Sequence, residues 1–107
     1  MLYATTRSKV ATYTAQRALK EDRAPDGGLY VPETLPRVDV EAILNMDTYA
    51  MATAIIGAML PDIPNMDRLV RRAYSGKFQT EDLTPTVQTG PFTVLELFRG
   101  PTSAFKD

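Results

Sequence analysis

"ELFRGPTSAFKD", Glu96–Asp107, runs out of an apolar, strand-like segment, through a glycine–proline turn, to a lysine one residue from the end of the sequence. Gly100 and Pro101 make a sharp turn. Thr102 or Ser103 then stands where a cap would sit for a helix beginning near Ala104, which would place Lys106 in the first helical turn. The positive end of a helix dipole and partial desolvation disfavour an ammonium there. Both push a lysine toward the free amine that a Schiff base requires. Read alone this is a weak signal, and a surface lysine at a frayed terminus is the simpler account.

The segment before the turn, "FTVLELF" at Phe92–Phe98, reads as a strand that is apolar on both faces except at Glu96. Such a strand expects a packed layer on each side. Three or four helices and three short strands hardly supply two layers, so the strand is expected to belong to a sheet whose remainder lies outside these residues. Left without that sheet, strand 92–98 would be an open pairing edge and a route to self-association.

Composition narrows the chemistry. With 107 residues, 44% hydrophobic and 23% charged, the chain has room for one core but not for two. A formal net charge of −1 argues against a dedicated nucleic-acid or membrane-surface binder. The longest apolar run, "YAMATAIIGAML" at Tyr49–Leu60, is too short to span a bilayer. Cysteine and histidine are both absent, which removes disulfides, thiolate metal sites and the commonest general base near neutral pH. No metal site is expected. The N-terminus lacks a signal pattern, so a cytoplasmic location is the default expectation. Chemistry must then run on carboxylates, hydroxyls, lysine or a borrowed cofactor.

The remaining chain reads as short strands and amphipathic helices. "LYATT" at Leu2–Thr6 and "LYVP" at Leu29–Pro32 read as strands. Ser8 is expected to cap a helix over "KVATYTAQRALK", Lys9–Lys20, and "APDGG" at Ala24–Gly28 to stop it. Asp39 is a good N-cap for "VEAILNM". Ala52, Ile55, Ile56, Met59 and Leu60 form a helical stripe. Pro64 suits the first turn of the next helix, where Met66, Leu69, Val70, Ala73 and Tyr74 repeat the spacing and Gly76 offers a stop. Arg68, Arg71 and Arg72 lie off that stripe and read as a solvated face, a phosphate or acidic-partner patch being the alternative. Lys77–Pro91 reads as a polar loop with a minor strand near Thr86–Gln88. The expected core is Val10, Tyr13, Leu19, Leu29, Val31, Ile43, Ile55, Ile56, Met59, Leu69, Val70 and Tyr74.

"LELFRGPTSAFKD" resembles the lysine motif of threonine synthases with an N-terminal domain, a pyridoxal-phosphate family whose signature reads roughly LELFHGPT-x-x-FKD. "APDGGLYVPETLP" resembles the family's PDGGLYVPE-x-[IL]-P segment, "IPNMDRLVRRAYSGKF" its IP-led charged helix, and "TTRS" its STRG. The matches run in order along nearly the whole chain. Arg99 stands where the family usually has histidine and Ser103 where it usually has a larger apolar residue, departures that bear on substrate more than on cofactor.

The resemblance implies an α+β fold: a small, mainly helical N-terminal domain with short strands, residues 1–90, followed at 91–107 by the first strand of an α/β fold-type II pyridoxal-phosphate domain. It implies a parent enzyme that converts O-phosphohomoserine and water to threonine and phosphate, a lyase of threonine biosynthesis. Lys106 would carry pyridoxal 5'-phosphate covalently. Phe105 resembles the aromatic that packs on the cofactor ring, and reads equally as a core anchor. Thr102 and Ser103 would contact substrate or cofactor, with helix capping as the plainer reading. No glycine cluster here serves as a phosphate cradle, because "DGG" at Asp26–Gly28 is followed by a strand. The chain is therefore expected to be an N-terminal fragment, inactive alone and without bound cofactor. The alternatives are a threonine-synthase-like phospholyase on a related phosphorylated amino acid, and a free-standing non-catalytic interaction module.

Overall fold

The computed structural model describes residues 1–10 and 12–107, which divide into two compact units, Met1–Val70 and Arg71–Asp107. The first is built on a three-stranded antiparallel sheet. β1 (Leu2–Thr5) lies between β2 (Tyr13–Thr14) and β3 (Tyr30–Pro32), with Tyr3 opposite both Tyr13 and Pro32. The strand expected over Leu2–Thr6 is thus the centre of the sheet, and the one expected over Leu29–Pro32 is its edge.

The helix expected from Ser8 is different. Residues 13 and 14 pair with β1, and α1 is only Ala15–Lys20, capped by Thr14, whose hydroxyl accepts the Arg17 N–H. Ser8 instead closes a turn with Thr5 and accepts the Val10 N–H at 3.3 Å. Ala11, inside the expected helix, lies outside the described residues. Ladder bonds to β1 satisfy backbone groups that a longer helix would have paired locally.

Two aspartates start the next helices as capping predicts. Asp39 accepts the Ala42 N–H to begin α2 (Val40–Leu44), and Asp47 accepts the Ala50 N–H to begin α3 (Thr48–Met59). α4 spans Met66–Tyr74. Pro64 precedes α4 and does not sit in its first turn; Asn65, at φ +57°, leads in and its carbonyl accepts the Leu69 N–H. Gly76, at φ +67°, provides the expected stop, since that left-handed geometry suits glycine.

Elements of the first unit are tied by polar contacts as much as by apolar ones. The Tyr3 hydroxyl donates to the Met59 carbonyl, and Asp62 accepts the Gln16 N–H. Asp26 accepts from the Thr5 hydroxyl and from the Gly28 N–H, shaping the loop into β3. The rings of Tyr13 and Tyr30 meet edge to face at 5.1 Å, Arg17 lies over Tyr13, and Tyr30 donates to Glu21, which also pairs with Arg17 at 2.7 Å.

Among the described residues the buried apolar ones are Tyr3, Ala4, Ala15, Ala24, Ile43 and Val70, none of them a large side chain wholly removed from solvent. Of the expected core only Ile43 and Val70 are buried. Val10 and Leu19 are each 66% exposed, and Leu29, Val31, Ile55 and Leu69 are exposed as well. Tyr13, Ile56, Met59 and Tyr74 are half-buried. Arg68 and Arg72 are exposed, as a solvated face requires.

In the second unit β4 (Thr86–Thr89) and β5 (Phe92–Leu95) form a hairpin, Val87 opposite Val94, turning at Gly90 with φ +58°. The Phe92–Phe98 segment is therefore not one long unpaired strand. It ends as a strand at Leu95, one edge is taken by β4, and Leu97 and Phe98 are in a turn. The open edge that suggested self-association is to that extent already used.

Truncating Ile43 to alanine is expected to cost about 2–4 kcal/mol in urea unfolding. The same truncation at the exposed Leu19 should stay within about 0.5 kcal/mol.

Burial, followed by the bond to Glu21, raises the Tyr30 phenol to about 12. The stability linked to it is complete below the unfolded phenol value near 10 and is lost as pH rises through about 12. Tyr30→Phe should flatten that alkaline loss. An ultraviolet titration of phenolate, run beside circular dichroism, checks both halves.

Candidate functional site

The second unit carries the candidate site residues on the segment that leaves β5. The ladder closes with the Glu96 N–H donating to the Pro85 carbonyl at 2.9 Å. Glu96 itself is buried, and burying a carboxylate is costly unless it is paired. Arg99 pairs with it: Nε lies 2.7 Å and Nη2 2.6 Å from the same oxygen, Oε2. The Arg99 carbonyl accepts the Gln79 N–H at 2.9 Å, and its guanidinium also stacks over the Phe98 ring at 5.1 Å. Arg99 therefore fixes the turn Glu96–Arg99 and joins it to the loop at Gln79.

Gly100 follows and is buried. A Cβ there would lie 2.4 Å from the Cβ of Asp107, so no side chain fits. Asp107 folds back across this gap. Its Oδ2 accepts the Thr102 N–H at 2.9 Å and its Oδ1 the Thr102 hydroxyl at 2.7 Å. The Thr102 hydroxyl bond, followed by the backbone bonds, holds the Asp107 carboxyl below the usual carboxylate range. Ser103 donates its N–H to the Gly100 carbonyl and sits at φ +54°.

The helix expected near Ala104 is not formed; residues 101–106 are successive turns and bends. The would-be caps are otherwise engaged. Thr102 spends its hydroxyl on Asp107, and Ser103 is left-handed rather than in the extended geometry of an N-cap. Lys106 is accordingly not in a helical first turn. Phe105 is 84% exposed and Lys106 is exposed beside it, so Phe105 is no core anchor within these residues. The structure brings Thr102, Ser103, Phe105 and Lys106 onto one short closed segment. The sequence reading overlooked Gly100 and Asp107 as the parts that close it. Gly100 reads from sequence only as part of the Gly100–Pro101 turn, and the further signal was a short acidic residue five positions after a threonine.

The sequence profile described as "Threonine synthase N terminus" matches residues 2–74. The chain belongs to that family. Threonine synthase from Saccharomyces cerevisiae is 38% identical to it, over 99% of this chain and 23% of the yeast protein. "Threonine synthase-like 2" from Mus musculus is 33% identical over 100% of this chain and 24% of its own length. Among solved structures, yeast threonine synthase superposes with a TM-score of 0.83 at 33% identity, covering 98% of this chain and 23% of that one. The PLP-bound threonine synthase from Brucella melitensis does so with a TM-score of 0.83 at 34% identity, covering 99% and 24%. The chain thus spans about a quarter of the length of the relatives it matches, and its mixed helix–strand architecture is theirs. No helix among the described residues is long and apolar enough to cross a membrane.

Arg99→Ala would leave the Glu96 carboxylate buried without its partner, at an expected cost of about 1–3 kcal/mol. Adding Glu96→Gln should recover part of that loss. A double-mutant cycle in urea returning simple additivity would show that the pair is not coupled.

Proposed function

We propose that these residues are the N-terminal part of a threonine synthase that converts O-phosphohomoserine and water to threonine and phosphate, with Lys106 as the residue that holds pyridoxal 5'-phosphate. The supporting observation is that the similarity to yeast threonine synthase covers 99% of the chain at 38% identity, a length that takes in the Lys106 segment. In this reading residues 1–90 form the N-terminal domain and 91–107 open the catalytic one, meeting at the Gly90 turn, so that the hairpin belongs to both.

The residues present fit that cofactor. Lys106 offers a primary amine on an exposed position, and the adjacent Phe105 offers an uncovered aromatic face. When bound, pyridoxal phosphate supplies an electron sink for charge developing on the substrate's carbon skeleton. Lys106 anchors it and moves protons at the substrate's α and β carbons. Phe105 supports the ring. Ser103, whose hydroxyl is not drawn into the Asp107 contact, is the better placed of the two hydroxyl residues to meet substrate. Thr102, with N–H and hydroxyl both given to Asp107, shapes the loop. The remaining machinery is assigned to sequence beyond the quarter spanned here, so the 107 residues by themselves should neither hold the cofactor nor turn over.

A second reading, a threonine-synthase-like phospholyase acting on a related γ-phosphorylated amino acid, rests on Arg99 and Ser103, the two departures from the family pattern. A panel of phosphorylated amino acids separates the two.

In the full-length protein, Lys106→Ala is expected to lower phosphate release from O-phosphohomoserine by about a thousandfold or more. Borohydride should fix the cofactor to Lys106 and not to Lys9, Lys20 or Lys77. Cofactor mapped to another lysine would rule the assignment out.

A further inference from the structure

The segment bearing Lys106 is closed by a side chain rather than by a helix. Both carboxylate oxygens of Asp107 are used, one on the Thr102 N–H at 2.9 Å and one on the Thr102 hydroxyl at 2.7 Å. The backbone closes the same loop twice more, Ser103 N–H to the Gly100 carbonyl at 3.1 Å and Asp107 N–H to the Ala104 carbonyl at 3.3 Å. The space that Asp107 occupies exists because residue 100 has no side chain, a Cβ there falling 2.4 Å from the Asp107 Cβ and 2.5 Å from its Oδ2. Phe105 and Lys106 lie inside the closure, next to the residue that makes it, and both are exposed.

We propose that Asp107 is a positioning residue: by closing the loop onto Thr102, in the gap left by Gly100, it fixes the direction in which Phe105 and Lys106 project. The proposal rests on the reading of Lys106 as the cofactor lysine and adds to it the device that orients the amine. A flexible lysine beside an unclosed turn would spend most of its time in other directions, and the bonds to Thr102 are of the charge-assisted kind that resist opening. The lowered Asp107 carboxyl agrees with a carboxylate kept charged by those bonds. The order of effects follows from the contacts. Losing the carboxylate removes both bonds, losing the Thr102 hydroxyl removes one, and adding a methyl at residue 100 displaces the carboxylate without changing its chemistry.

The test uses the full-length protein with pyridoxal phosphate as the probe. Asp107→Ala and Gly100→Ala should each weaken cofactor binding about tenfold, the scale of a charged hydrogen bond. When binding is saturated, both should also lower the share of bound cofactor that borohydride fixes to Lys106. A purely structural clamp would lower the thermal midpoint of the cofactor-free protein but leave that share unchanged. Asp107→Asn keeps an acceptor for the Thr102 N–H and should restore most of the labelling; if the alanine variant does not fold, Thr102→Val supplies the loss to be read, and wild-type labelling in it overturns the proposal. Thr102→Val should fall between wild type and Asp107→Ala. Wild-type labelling in Asp107→Ala overturns the proposal, as does a loss that Asp107→Asn fails to recover. Labelling that moves to another lysine in the wild-type protein overturns the reading of Lys106 and this proposal together. Normal labelling at Lys106 with an indifferent Asp107→Ala overturns this proposal alone.

Discussion

A backbone N–H that leaves a helix or a sheet ladder needs an acceptor, and in this chain the acceptor is repeatedly an aspartate oxygen. Asp26 takes the Gly28 N–H, Asp39 that of Ala42, Asp47 that of Ala50, Asp62 that of Gln16 and Asp107 that of Thr102. Two of these start helices, one ties the turn after α3 to α1, and two hold loops. The need is clear from the core. With no large side chain among the described residues wholly removed from solvent, burial cannot by itself choose between nearby loop geometries. Hydrogen bonds with fixed direction make that choice.

The same economy explains which parts of the sequence could be read. Capping is local chemistry, so Asp39 and the Gly76 stop were visible from a few residues. β1 and β3 announced themselves by β-branched and aromatic content between turn residues. The first helix did not. Whether Tyr13 and Thr14 continue a helix or join β1 depends on a pairing with Leu2 and Tyr3, which spacing within residues 9–20 does not encode. Periodicity likewise shows which face of a helix is apolar but not whether anything covers it. That is why Ile55 and Leu69 sit on the predicted stripes and are nevertheless exposed.

At the candidate site the residue types were legible and their arrangement was not. Lys106 and Phe105 stood out through a motif. The reason they are held without a helix lies in a contact between residues 100 and 107 that requires the loop to be folded before it can be seen. Thr102 illustrates the point. As a sequence feature it is an N-cap or a substrate contact; in the fold both of its donors are given to Asp107. Its place in the loop was therefore decided by a partner five residues away.

The two departures from the family pattern can now be weighed separately. Arg99 answers a local demand: Glu96 is buried at the end of β5, and a guanidinium with two nitrogens on one oxygen satisfies it in a way that a single imidazole nitrogen would not. Its charge is thereby engaged by Glu96 on the strand side of Gly100, where it anchors the turn. Ser103 is the opposite case. It lies between Thr102 and the Phe105–Lys106 pair, in a left-handed conformation at φ +54° that disfavours bulky side chains. Its hydroxyl is not used by the clamp. A small side chain there is compatible with that backbone, three residues before Lys106 in the chain.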